Sequence, residues 1–453
     1  MSEVQKNSVE RIANDRPDMD SRLPPISLVY HGFGRFRDHI NDHSDGPMPA
    51  HLPDFEKAVT KFMSAMCAYY YDHEDRGITA RECLNEIWKS YLGEQEFDEI
   101  KHGIIGPDGS SDGFTIGSAN TMEVIVVVKN ELGTTDCDGS VELAAYYTQS
   151  LESNTSQKSR KRFLFPALGI LVVGAHVGFY ALSFTKSTRL VALTPLLPAV
   201  IERGNEWATP ALMRALEASC ILRYHISKDT AEFMADRLPH PPQGDLPYIN
   251  EVPTHPPSET LRFEIKVEAY QGKDFRYENR FIYGAKDKNK DWVVVKFTQK
   301  YCLPLHLFCV EKKHAPRVLG YGVVHGGWHV IVMEWIENDP SDRENYASKY
   351  FQRWSKDLKE LVDGFHEEGF VHGDLRDANL IVPKKNPKRI MLLDFDWGGE
   401  AKSGAVYYPT ARLNADLMLG ENPKHLEITV TRDNLALDNT LRKMNTEIEM
   451  DED

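Results

Sequence analysis

Apolar positions first fall into a regular spacing after Pro53. Phe55, Val59, Phe62, Met63, Met66 and Tyr70 recur every three or four residues, which predicts an amphipathic helix. A second helix is predicted to open at Thr79, where Glu82 completes a capping box, with Leu84, Ile87, Trp88 and Tyr91 on its inner face. A Gly/Asp/Ser-rich loop over Gly106–Gly113 precedes the β-rich run Met122–Val128, and a further helix is expected to bury Leu143, Ala144, Tyr147 and Leu151. A hairpin over 168–184 and a helix around Pro210–Arg237 complete a first α/β unit of about 185 residues.

From Pro239 to Pro257 the chain reads PHPPQGDLPYINEVPTHPP, in which proline denies a helix, so a stiff linker is expected. Strand-like runs follow at Leu261–Ala269, Phe281–Ala285, Trp292–Phe297 and Trp328–Trp335, and then a helix over Tyr346–Glu368. Sheet first and helices later describes a bilobal α+β arrangement. The first 50 residues lack sustained periodicity, and the chain closes on EIEMDED. The expected organisation is therefore a mobile polar arm over 1–50, an α/β domain over 51–238, a Pro-rich linker over 239–258, an α+β domain over 259–440 and an acidic disordered tail over 441–453.

Composition narrows the functional classes. With 453 residues, 41% hydrophobic and 27% charged, the chain has the mixture of a folded multidomain protein. Its 53 Lys and Arg against 68 Asp and Glu give a formal charge of -15, so any nucleic-acid or anionic-membrane contact has to be local. Cys67, Cys83, Cys137, Cys220, Cys302 and Cys309 are scattered without CxxC spacing, which argues against a zinc site or a disulfide framework and fits a reducing compartment. The first 25 residues are acidic and hold no apolar run, so a secretory signal is not expected, and the cytoplasm or the nucleus is the expected location.

Phe163–Leu182 tests that conclusion, being a twenty-residue stretch without formal charge behind the basic run Lys158–Arg162. Its length alone would allow a membrane-spanning helix. Gly174 and Gly178 interrupt it, His176 would sit at mid-bilayer and both halves are rich in β-formers, so two buried strands joined by a turn explain it better. The basic run reads as a solvated loop or a nuclear address.

The strongest chemical pattern is VHGDLRDANL at 371–380 followed by LLDFDWGG at 392–399. It resembles the catalytic loop and metal-binding motif of the protein kinase-like superfamily, and Gly373 in place of the usual Arg is similar to aminoglycoside phosphotransferases and other atypical kinases. The resemblance covers about 263–438 and implies ATP and Mg2+ as cofactors. It implies that Asp374 accepts or orients a substrate hydroxyl, that Asn379 and Asp394 hold magnesium, and that Arg376 reaches the transferring phosphate. WVVVK at 292–296 looks like the third strand of a kinase small lobe, which places Lys296 on the α- and β-phosphates. Its helix partner is expected to be Glu311, the only acid between Lys296 and Glu334, or an acid from elsewhere, with His306 as the rival. VIVMEW at 330–335 resembles the hinge, where backbone groups from Glu334 to Ile336 would hydrogen-bond adenine. No GxGxxG precedes Lys296, and only Gly272 lies where a phosphate-covering hairpin belongs. Asp396 stands where Gly commonly follows Asp-Phe, and neither an APE-like segment nor the long helices of ordinary protein kinases are discernible, so the large lobe is expected to be reduced.

In the first domain, Asp112 is followed by MEVIVVVKNELG at 122–133 and then by a helix containing Glu142. This resembles the restriction-endonuclease-like PD-(D/E)XK fold found ahead of a kinase-like domain in fungal Crinkler-type proteins. Such a site needs two carboxylates for a divalent ion and a lysine to position water. Positions 127, 129 and 131 of one strand share a face, so Lys129 and Glu131 are expected to point together toward Asp112. Position 127, where the family places an acid, is Val127, for which Glu131 or Glu142 would have to substitute. The bland alternative is a charged strand end before a turn at Gly133.

The expected function is ATP- and magnesium-dependent phosphoryl transfer to a hydroxyl acceptor, with protein Ser, Thr or Tyr ahead of a small molecule, and with DNA contact confined to the first domain. The alternatives are a metal-dependent nuclease with a regulatory kinase-like half and a catalytically silent binding module.

Overall fold

The computed structural model describes residues 23–41, 52–93, 99–104, 110–131, 138–185, 187–200, 207–238, 246–266, 281–404 and 427–451. They fall into two compact units, Met1–Ile249 with His325–Gly327, and Asn250–Val324 with Trp328–Asp453.

The first unit opens with helices α1 (Ile26–Val29), α2 (His31–Asn41), α3 (Leu52–Met66) and α4 (His73–Leu92). Strands β1 (Lys101–Ile104), β2 (Ser110–Ile116) and β3 (Met122–Lys129) follow, then α5 (Gly139–Asn154) and α6 (Gln157–Arg162). Strands β4 (Ala167–Val173), β5 (His176–Phe184), β6 (Thr188–Ala192) and β7 (Leu197–Pro198) and helix α7 (Ala208–Met234) complete it. The sheet runs β1-β2-β3-β4-β5-β6, with β7 also on β5. Among the described residues only β3 and β4 pair in parallel, the connection between them carrying α5.

That central pair is covered on both faces, which is why its sequence shows no alternation. Val124, Val126, Val128, Leu168, Ile170 and Val172 pack with α3, α4 and α7, while Ile125, Val127, Leu171 and Val173 pack with α5. The uncharged stretch at 163–182 is the β4–β5 hairpin, in register from Ala167 with Leu182 to Val173 with His176. Among the described residues no helix is long and apolar enough to cross a membrane.

Three expectations for this unit are corrected. The mobile arm over 1–50 contains α1 and α2, whose Tyr30, Phe33 and Phe36 are buried against α7 and the sheet. Gly32 and Gly34 obscure the helical period there, but three aromatic rings at threefold spacing supply enough burial to order the segment. The second helix begins a turn and a half before Thr79, because the Asp72 side chain accepts the Glu74 N–H and caps it. The loop over 106–113 is strand from Ser110 onward, so Asp112 sits on β2.

The second unit carries β8 (Glu251–Pro253), β9 (Thr260–Ile265), β10 (Phe281–Asp287), β11 (Trp292–Thr298), α8 (Leu303–Glu311), β12 (Val318–Val324) and β13 (Trp328–Glu334). Helix α9 (Pro340–Glu367) follows, then the short strands β14 (Phe370–Val371), β15 (Leu380–Ile381), β16 (Met391–Leu392) and β17 (Gly399–Glu400), and helix α10 (Val430–Asp451). An antiparallel sheet in the order β12-β13-β11-β10-β9-β8 puts β11 at its centre, and a bridge from Thr254 to Gly320 joins its two edges. The other core gathers Trp354, Leu358, Val362 and Phe365 of α9 with Leu437, Leu441 and Met444 of α10 and with Leu375, Leu380, Leu392 and Phe395.

The Pro-rich linker is corrected in its second half, where Glu251–Pro253 is an edge strand that proline tolerates. The acidic tail over 441–453 is corrected too, since α10 runs to Asp451 and buries Leu441 and Met444 against α9.

Candidate functional site

The chemistry-bearing residues of the second unit come together through two short hydrogen-bonded ladders. Lys296 lies on β11 between Ile282 and Ile331 of the neighbouring strands. The chain turns at Cys302, whose N–H donates to the Phe395 carbonyl, so the end of the sheet is tied to the segment carrying Asp394 and Asp396. Leu380 pairs with Leu392, and the Leu393 N–H donates to the Asn379 carbonyl, which sets Asn379 beside Asp394 although 15 positions separate them in the sequence. The Asn379 amide donates to the Asp374 carbonyl at 2.9 Å, fixing the turn through a 3-10 segment at Asp377–Asn379.

Lys296 is 5% exposed, and its Nζ lies 2.6 Å from Asp394 Oδ1 and 2.6 Å from Asp396 Oδ1. Burial pulls its pKa down, but the two carboxylates outweigh that and hold it above the usual lysine value. Burial pushes Asp396 up to about 6, with the Asp394 charge adding to the rise and Lys296 opposing it. Asp394 adopts a φ of 65°, a left-handed conformation that turns the Asp-Phe-Asp segment so that Phe395 points away from its two neighbours. The Phe395 ring stacks on His306 at 4.4 Å and meets His372 edge-on at 5.3 Å.

Asp374 is 2% exposed and is held by Arg376 through both oxygens, Nη2 to Oδ2 at 2.8 Å and Nε to Oδ1. Arg376 was expected to reach a phosphate; here it folds back onto the carboxylate two residues before it. Gly373 has a φ of 77°, and a Cβ there would lie 2.8 Å from Trp397 Cβ, so the residue that departs from the common kinase Arg is one that this backbone needs. His372 is buried and held neutral by desolvation; its Nε2 donates to the Leu393 carbonyl while Nδ1 accepts the Asp374 N–H.

Glu311 does not reach Lys296. It is exposed at the last position of α8, and the carboxylates on Lys296 come instead from the Asp-Phe-Asp segment. The rival His306 is engaged elsewhere: Nε2 donates to the Pro316 carbonyl at 2.8 Å, so Nδ1 accepts the Tyr301 hydroxyl at 2.7 Å. At the expected hinge, the Glu334 N–H bonds the Arg317 carbonyl and its carboxylate takes both the Arg317 N–H and Nε, while Ile336 is half-buried beyond the strand end. Gly272 lies outside the described residues.

One residue that the motifs do not reveal anchors the loop. Asp433, in the first turn of α10, accepts the N–H groups of His372 at 2.6 Å and Gly373 at 2.8 Å, and His366 Nε2 lies 3.3 Å away. No local pattern marks it, since an acid in the first turn of a helix is ordinary.

For a divalent cation the available donors are the Asn379 amide oxygen and the Asp394 carboxylate. Among the described residues no group of three or more His, Cys, Asp or Glu is arranged to hold a metal ion. One carboxylate and one amide, both hard oxygen donors, suit magnesium, which keeps several waters and is held by few protein ligands beside substrate phosphates.

In the first unit, Asp112 and Lys129 stand on the neighbouring strands β2 and β3, but their side chains are differently engaged. Asp112 Oδ2 accepts the Val128 N–H at 2.7 Å, and Lys129 Nζ pairs with Glu142 Oε1 of α5 at 2.7 Å. Because β3 ends at Lys129, Glu131 falls on an exposed bend and does not continue the strand face, a correction to the expected trio. Val127 is fully buried among apolar residues packed with α5.

No protein-family model and no curated protein matches the sequence. Among solved structures, the chain is similar to the PK-1 kinase of Cydia pomonella granulovirus at 14% identity, over 40% of this chain and 67% of that one, with a TM-score of 0.32. A likeness that slight carries no argument about fold or activity.

Proposed function

We propose that the second unit is a protein kinase-like phosphotransferase that uses ATP and Mg2+ to phosphorylate a hydroxyl acceptor, a protein side chain foremost. The observation that supports this best is the convergence of Lys296, Asp374, Asn379 and Asp394 on one buried locus, from segments spread over nearly a hundred positions. Asp394 is bonded to the buried lysine, and Asn379 ties the backbone of Asp374 to the segment that carries Asp394, which turn formers acting singly would not require.

Phosphoryl transfer asks the protein for positioned charge more than for covalent chemistry. Lys296 would bind the nucleotide phosphates, its charge secured by the flanking carboxylates. Asn379 and Asp394 would hold magnesium, which when bound neutralises charge on the phosphates. Asp374 would orient the acceptor hydroxyl and take its proton, which requires Arg376 to release the carboxylate oxygens that it now occupies. Arg376 would then be able to meet the transferring phosphoryl group. Transfer from radiolabelled ATP to a peptide and small-molecule panel tests this reading, and Asp374→Asn is expected to lower it by about a thousandfold or more. Unchanged transfer in that variant refutes the assignment.

A nuclease reading of the first unit draws on Asp112 and Lys129 standing on adjacent strands. Val127 is buried in the core, and Glu142, paired to Lys129, is the carboxylate recorded against that lysine among the described residues. Metal-dependent DNA cleavage abolished by Lys129→Ala is the result that would favour it.

A further inference from the structure

Among the described residues Lys296 meets two carboxylates, both from the Asp-Phe-Asp segment, and no helix glutamate. Its ammonium is nearly sealed from solvent, with the side chain 6% exposed, so it needs a counter-charge at every stage of a catalytic cycle. Asp394 supplies one in this structure, yet under the proposed function that carboxylate goes to a divalent cation with Asn379. If Asp394 were the sole partner, cation binding would strip Lys296 of its anchor. Asp396 prevents that. Its side chain is partly buried, and its Oδ1, which is out of contact with solvent, lies 2.6 Å from Nζ and has no hydrogen-bond partner besides this ion pair. The spacing of two residues, with the left-handed Asp394 and the intervening Phe395 clamped between His306 and His372, brings both carboxylates onto one lysine.

We propose that Asp396 is a positioning residue that holds Lys296 on the nucleotide phosphates once Asp394 is committed to the cation, doing on the metal-binding segment itself what a helix carboxylate was expected to do from α8. The inference rests on the phosphotransferase reading and assigns a task to the position where glycine is otherwise common.

Calorimetric binding of Mg-ATP to the full-length chain tests it without depending on turnover. Asp396→Asn is expected to weaken binding by roughly tenfold or more, the worth of one charge-assisted contact. Because Asp396 acts through Lys296, the double variant Asp396→Asn/Lys296→Met should bind no more weakly than Lys296→Met alone. Asp396→Glu, which keeps the charge, should recover most of the loss. The magnesium concentration for half-maximal binding should rise in Asp394→Asn and stay within about twofold of wild type in Asp396→Asn. Independent, multiplying effects of the two substitutions, or wild-type affinity in Asp396→Asn, would overturn the proposal. If Asp396→Asn does not fold, the smaller Asp396→Ser carries the same cycle. A wild-type chain that binds no Mg-ATP at all would instead sink the phosphotransferase reading, so the two failures are told apart.

Discussion

Replacing Asp433 by Asn removes the charge that holds the loop carrying Asp374 and changes little else in shape. The carboxylate is 2% exposed and accepts two backbone N–H groups from consecutive residues, His372 and Gly373. A hydrogen bond to a charged acceptor contributes about 1.5–3 kcal/mol, and a buried donor left unpaired costs about 1–3 kcal/mol. An asparagine can turn its oxygen to only one N–H and must present its own NH2 to the other. The expected local cost is therefore about 2–4 kcal/mol, felt by the loop that Asp433 holds. Amide hydrogen exchange measures this directly: protection at His372 and Gly373 should fall by roughly a hundredfold, since ~1.4 kcal/mol is a factor of ten. Amides of β4 provide an internal reference that should not move. Phosphoryl transfer should fall in parallel, because Asp374 follows those two residues. Exchange at both amides within twofold of wild type, in a folded variant, would refute the view that α10 anchors the loop through this side chain.

Acid should destabilise the second unit through His306, which burial lowers to about 4. Between its unfolded value near 6.5 and 4, the unfolded chain binds the proton and the folded chain does not, so stability is intact above about pH 6.5 and declines by up to ~3 kcal/mol as pH falls toward 4. The melting-temperature gap between wild type and His306→Gln should narrow over that window, and a constant gap would contradict the assignment. Met444→Ala should cost about 2–4 kcal/mol in denaturant titration, because the side chain is 2% exposed between α9 and α10; a neutral effect would mean that this end of the chain is not part of the core. Gly373→Arg, which places there the residue common in protein kinases, should destabilise by about 2–4 kcal/mol and, on the proposed function, lower transfer, since φ is 77° and a Cβ would lie 2.8 Å from Trp397 Cβ. A gain in stability or activity there would contradict the backbone argument.

The elements that were legible in the sequence are those whose burial follows one period. The α5 face of Leu143, Ala144, Tyr147 and Leu151 and the run Met122–Val128 are buried as their spacing predicts. The hairpin at 167–184 was legible because Gly174 and the β-formers on either side outweigh its helical length. What escaped depends on partners far away in the chain. Helices α1 and α2 are ordered by α7, some 180 positions later, to which Tyr30 and His31 bond through Asp229 at 2.8 and 2.7 Å. Helix α10 is polar overall and shows its apolar stripe only against α9. In the site, the spacing of the motifs marked Asp374, Asn379 and Asp394 as a set, whereas the choice between Glu311 and another acid for Lys296 turned on where α8 ends. Asp433 left no trace in any motif because its role is defined by two amides sixty positions upstream.

Charge accounting explains why this arrangement is poised rather than complete. Asp374 is matched one for one by Arg376, so that pair is neutral and closed. Lys296 faces both Asp394 and Asp396, two carboxylates on one buried ammonium. Two carboxylates on one buried ammonium are costly to hold together, and under the proposed function a divalent cation held by Asp394 and Asn379 would offset that charge. The locus would then favour the phosphates that Lys296 is proposed to meet. A phosphoryl group beside Arg376 would offer the guanidinium an anion to exchange for Asp374, and that exchange would open both carboxylate oxygens to a hydroxyl. On the proposed function, the closed Asp374–Arg376 pair would therefore favour cation and nucleotide first and acceptor second.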